Sequence, residues 1–166
     1  MTIQQVDMIS NGNFENGTLE NWTSQNVQVE SSIHLTGAFS AMFDGVSNAF
    51  LTQVMPWEAG ATASLTFSAT AMMDTPGSTP GLIFNLYYLD VNNNLLAWGF
   101  NQFIAKNQLP LGLMNAYKNL YAVASPAPLH TTQAVLNINN IPLHEEQNNV
   151  PVIVDDIQLL AVTQIL

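Results

Sequence analysis

Between residues 61 and 73 the chain reads ATASLTFSATAMM, and its side chains alternate. Ala61, Ala63, Leu65, Phe67, Ala69 and Ala71 fall on one side, Thr62, Ser64, Thr66, Ser68 and Thr70 on the other. Strict alternation over this length predicts an antiparallel strand with one face in a core and one in water. Shorter versions run through NVQVES (26–31), SAMF (40–43), AFLTQVM (49–55), LIFNLYYLD (82–90), NLLAWGFNQFI (94–104), AYKNLYAVAS (116–125), TQAVLNIN (132–139) and PVIVDDIQLLAV (151–162). The turn clusters PWEAG, DTPGSTPG, DVNNN, SPAPLH and LHEEQNN separate them. DVNNN reads as a hairpin turn, because Asn tolerates positive φ. Helical periodicity is confined to a short turn around LPLGLMNA. About nine strands at regular spacing, without βαβ units, predict an all-β fold: an antiparallel two-sheet sandwich of jelly-roll type, formed by residues 1–166 as one domain.

Two segments break the alternation in an informative way. NGNFENGTLENW (11–22) is rich in turn formers yet holds Phe14 and Trp22. A loop of this kind can wrap the sandwich edge, with the two rings plugged into the core and Gly12 and Gly17 permitting the bends. In PVIVDDIQLL, Asp155 and Asp156 sit inside a strongly apolar strand, where carboxylates need something to neutralise them.

Composition narrows the partners. The 166 residues include no Arg, two Lys and twelve acidic residues, for a net charge of −10. Nucleic-acid binding draws on Lys and Arg, so nucleic acid is excluded as a partner, and anionic membrane surfaces are disfavoured. No apolar run approaches the roughly 20 residues of a membrane helix, so no membrane insertion is expected. MTIQQVDMIS has neither the basic start nor the apolar stretch of a standard signal peptide. With 8% charged residues, repulsion between copies is weak, which favours self-association. The absence of Cys removes disulfides and thiolate chemistry.

N-G-x-F-E-x-G…W, the step His34–Gly37, the Pro56–Gly60 turn and the late V-D-D-I-x-L together resemble calcium-stabilised jelly-roll carbohydrate-binding modules, a galactose-binding-like architecture. Nearly the whole chain resembles more closely the N-terminal domain that precedes collagen-like triplet repeats in proteins of spore-forming Gram-positive bacteria. YYLDVNNNLLAWG, SPAPLHTTQAVLNINNIP and VIVDDIQLLAV carry that match, although the chain contains no Gly-X-Y triplets. This resemblance implies a bacterial extracellular or spore-surface location and a structural role: a homo-oligomer or fibre built through sandwich faces and the apolar termini. The more distant resemblance implies polysaccharide binding.

Three sets of residues follow. The similarity to the binding modules implies structural Ca²⁺ held by the carboxylates of Glu15 and Asp155 with carbonyls from Asn13, Thr36 and Gly37; Ca²⁺ takes about six to eight oxygens. The alternative is that both carboxylates cap backbone N–H groups with no ion. Sugar binding needs flat rings and amides. Asn85 with Tyr87, Tyr117 with Asn119 and Tyr121, and also Trp57 and Trp98, are the candidates, against the alternative that such rings pack the core. For assembly, the alternative is that both termini pair within their own sandwich. Catalysis is not expected: His34, His130 and His144 are scattered, and Glu145 and Glu146 are neighbours in a loop rather than carboxyls opposed across a cleft.

Overall fold

The computed structural model describes residues 2–45, 48–143 and 150–165. The strands are β1 (Thr2–Asp7), β2 (Thr23–Gln25), β3 (Val27–Glu30), β4 (Ser40–Phe43), β5 (Phe50–Pro56), β6 (Thr62–Ala71), β7 (Gly81–Leu89), β8 (Leu95–Ile104), β9 (Lys118–Val123), β10 (Gln133–Ile141) and β11 (Val152–Ile165). All nine alternating segments are strands. The other two, β1 and β2, are mostly polar and are recruited by pairing: β1 lies along the second half of β11, and β2 along β5. The turn at LPLGLMNA is a single 3-10 turn, Gly112–Met114.

The strands form two antiparallel sheets. Sheet A runs β3-β4-β11-β6-β9, with β1 also on β11; sheet B runs β2-β5-β10-β7-β8. Alternation explains the layers. Leu65 and Phe67 of β6 meet Leu82, Phe84, Leu86 and Tyr88 of β7 and Leu136 and Ile138 of β10, all buried. Phe84 stands edge-on to Phe67 and to Phe100, with centroids 5.1 and 6.3 Å apart. Trimming one such buried Phe to Ala costs about 3–5 kcal/mol.

The opening loop closes one end of the sandwich. Phe14 is fully buried and packs against Trp22, whose indole N–H donates to the Asn11 carbonyl at 3.0 Å. Gly12 accepts a bond from the Ile157 N–H at 2.9 Å, and a Cβ there would lie 1.9 Å from the Ile157 carbonyl oxygen. That contact falls where β11 carries a bulge, between Asp155 and Gln158, with Asp156 left-handed at φ 53°. Asn takes most of the remaining left-handed positions, including Asn93 in the β7–β8 turn, where Asp90 caps Asn92 and Asn94.

Candidate functional site

The outer face of sheet B is built by strand register. Across the middle of the sheet Thr23, Thr52, Asn137, Asn85 and Asn101 stand side by side on β2, β5, β10, β7 and β8. On one side of this polar row runs Gln25, Phe50, Asn139, Ile83 and Phe103; on the other, Val54, Val135, Tyr87 and Trp98. Adjacent strands lie about 4.8 Å apart, so the polar row extends over roughly 19 Å. None of these residues is Asp, Glu, His, Lys or Arg.

The row is partly self-satisfied. Thr52 donates its hydroxyl to Asn137 Oδ1 at 2.7 Å, and Asn137 donates in turn to Asn139. Asn85 differs: it is 8% exposed and its Oδ1 is buried without a hydrogen-bond partner. An orphaned buried acceptor costs about 1–3 kcal/mol unless something donates to it. Beside it Tyr87 and Trp98 stand edge to face, with centroids 5.3 Å apart, and Trp98 is 48% exposed. Phe103, at 69%, is more exposed still. Amides flanked by exposed rings suit a ligand with hydroxyl edges and apolar faces.

Sheet A's outer face is different. The loop 31–39 folds over it and covers a small cluster of Ile33, Met42 and Ile153, against which Met72 and Tyr117 pack. Carboxylates hold both flanks of this loop. Glu15 accepts the N–H groups of Ala38 and Phe39, both at 2.9 Å, and these bonds draw its carboxyl below the usual range. Gly37 is required immediately before them, because a Cβ there would meet the Glu15 carboxylate at 2.2–2.3 Å. Asp155, fully buried, accepts Leu35 N–H at 2.8 Å and Thr36 N–H at 3.3 Å on one oxygen, and Asp156 N–H at 2.7 Å on the other. Burial outweighs these bonds and pushes the Asp155 carboxyl up. The Thr36 hydroxyl donates to Asp156 at 2.8 Å.

The expected Ca²⁺ residues thus meet around one loop. Glu15 and Asp155 flank Thr36 and Gly37, and Asn13 accepts the Glu15 N–H at 3.3 Å. Carboxylate oxygens are the donors a hard cation takes. Each carboxylate also has backbone N–H partners in hand, and no group of three Asp, Glu or His side chains converges among the described residues.

The sugar-binding candidates divide. Asn85, Tyr87 and Trp98 come together on sheet B. Tyr121 lies on the opposite sheet, 64% exposed. Tyr117 precedes β9 and packs on the cluster beneath the loop, so it does not share an open face with Tyr121. Trp57 is corrected to a core residue, 5% exposed with its ring against Tyr88, because the chain turns inward after β5. His144, Glu145 and Glu146 lie outside the described residues. Alternation alone could not find Thr52, Asn101, Phe103 and Asn137, since it assigns a face to each strand but not its neighbours.

No family model matches this chain. No curated protein matches it in sequence. Solved structures do. The CBM22-1 xylan-binding domain of Paenibacillus barcinonensis Xyn10C superposes with a TM-score of 0.64 over 99% of this chain and 100% of its own, at 12% identity. The fold is a jelly roll like that of this neighbour. TmCBM61, solved with β-1,4-galactotriose, gives 0.61 over 93% of this chain and 97% of its own, at 15% identity. The enzymatically active domain of bacteriophage CBA120 tailspike protein 4 gives 0.65 over 92% of this chain at 19% identity, and this chain spans 21% of that one. At these identities the likeness shows architecture, not ligand.

Proposed function

We propose that the chain is a non-catalytic module that binds a neutral polysaccharide on the outer face of sheet B. The observation that carries this reading is the uncharged amide row of Asn137, Asn85 and Asn101 flanked by Tyr87 and the exposed rings of Trp98 and Phe103. Sugar hydroxyls bond the exposed amide of Asn101, and pyranose faces cover the exposed rings. The row runs across the strands, which suits an extended chain of several linked sugars. A face without cations, on a protein of net charge −10, gives uronate or sulfate groups nothing to pair with. The jelly-roll neighbours whose names specify xylan or galactotriose favour the same ligand class by analogy of fold.

Affinity electrophoresis in soluble xylan, β-1,4-galactan and an acidic polygalacturonate tests it. The protein is retarded by a neutral gel and not by the acidic one, and Trp98→Ala weakens retardation at least about tenfold, equivalent to about 1.4 kcal/mol. Free migration in every neutral glycan tried contradicts the reading.

The assembly reading has less behind it. β1 and β11 pair with each other within one chain, Thr2 opposite Ile165 through Asp7 opposite Leu160, so these termini have a partner without a second copy. Structural Ca²⁺ at Glu15 and Asp155, with carbonyls of Asn13, Thr36 and Gly37, belongs to the same proposal: it would fasten the opening loop to β11. Placement on a cell or spore surface would put such a module beside glycan.

A further inference from the structure

Sheet A has a hollow of its own, on the side away from the proposed ligand face. It measures about 450 Å³ and is lined by Thr66, Ser68, Asn119, Tyr121, Asp156 and Gln158. Register explains its position. Gln158, Thr66 and Tyr121 stand in one row across β11, β6 and β9, and Ser68 and Asn119 in the next. Between these rows β11 carries its extra residue, so Asp156 stands outside the regular pairing. Bulges are a common device for redirecting a side chain at a site.

Its chemistry is that of a polyol site. Tyr121 stands 64% exposed at one wall, an aromatic ring open to solvent. Asp156 offers a carboxylate on the opposite wall, held in place by the Thr36 hydroxyl. Ser68 donates to Asn119 Oδ1 at 2.8 Å, which fixes the orientation of that amide and leaves its NH₂ to donate outward. Gln158 and Thr66 line the floor between them. A carboxylate and amides facing one ring match a ligand bearing several hydroxyl donors and an apolar face. They do not match an anion, which Asp156 would repel, nor an apolar partner, which would strand the amides.

We propose that this hollow is a second glycan-contact site, so that the domain holds glycan on two opposite faces and cross-links it. The proposal takes its ligand class from the sheet B reading and extends it to the other sheet. Its test uses the whole chain in four forms: wild type, Trp98→Ala, Tyr121→Ala and the double variant. Each is titrated with xylan and β-1,4-galactan oligosaccharides by calorimetry, then mixed with the soluble polymers and followed by turbidity.

Wild type binds at two sites and clouds the polymer. Trp98→Ala keeps the sheet A event, Tyr121→Ala keeps the sheet B event, and each binds polymer without clouding it. The double variant loses both. A single site abolished by Trp98→Ala and untouched by Tyr121→Ala overturns the second site while leaving the first intact. Turbidity that survives Tyr121→Ala also overturns it, since association between copies would then be the cross-link. Binding by no form sinks both readings. Tyr121→Phe, which keeps the ring and removes only its hydroxyl, separates loss of the platform from loss of fold: it retains the sheet A event.

Discussion

The two outer faces of this sandwich are made by the same alternation and meet opposite fates. Sheet B presents an uncharged surface of amides and rings. Much of sheet A is sealed by its own chain: the loop 31–39 lies over Ile33, Met42 and Ile153, clasped by Glu15 on one flank and Asp155 on the other. The difference is one of satisfied bonds. The clasp carboxylates Glu15 and Asp155 are spent on backbone N–H groups and hold structure, whereas the amide row on sheet B retains capacity for an outside partner. Substitutions should therefore divide, those in the clasp moving stability and those at the exposed rings moving binding.

The largest effect should come from the plug that supports the clasp. Phe14→Ala is expected to cost about 3–5 kcal/mol in denaturant unfolding, because it opens a cavity under a fully buried ring. Asp155→Ala should cost about 3 kcal/mol, since it strands the N–H groups of Leu35, Thr36 and Asp156, while the folded fraction still binds glycan. If the clasp holds Ca²⁺, removing the ion with EGTA lowers stability by about 2.7 kcal/mol relative to a hundredfold excess over Kd; an unchanged melt leaves the backbone N–H groups as the carboxylates' partners. Trp98→Ala should leave stability within about 0.5 kcal/mol, because the ring is half-exposed, and show its effect in affinity alone.

The smallest effect is in acid, and the two carboxylates of the clasp contribute with opposite sign. Glu15 has its folded pKa drawn below the unfolded value by Ala38 and Phe39, so its contribution is complete above the unfolded value and fades as pH falls through the folded one. Asp155 has its pKa raised by burial, so its ionisation opposes folding at neutral pH and protonation relieves that cost. Glu15→Gln should therefore flatten the loss of melting temperature between neutral pH and the ordinary carboxylate range. Asp155→Asn should steepen it. The same slope in both variants would show that the two groups do not act through the loop as described.

How much of this was legible beforehand follows from what pattern encodes. Period-two alternation marked nine of the eleven strands described, because a half-buried strand must write its two faces into its sequence. It missed β2, whose three residues Thr23–Gln25 are exposed and are held by pairing with β5 rather than by burial. The clasp was half visible: Glu15 beside an aromatic plug and Asp155 in an apolar run both stood out, and the two do hold the same loop. The amide row was not visible, since Asn85, Asn101 and Asn137 lie far apart in sequence and join only when strand order and register are known. Trp57 misled for the converse reason. Being large and apolar in a turn cluster says nothing about which way the chain bends, and here it bends inward.

The most direct measurement is a backbone amide titration by NMR with a soluble xylan or β-1,4-galactan oligosaccharide. The account predicts the strongest shifts at Thr52, Asn85, Tyr87, Trp98, Asn101 and Asn137, one band across four strands, and their loss in Trp98→Ala. Saturating sugar that leaves that band unmoved, or shifts confined to the loops at the sandwich ends, would contradict it.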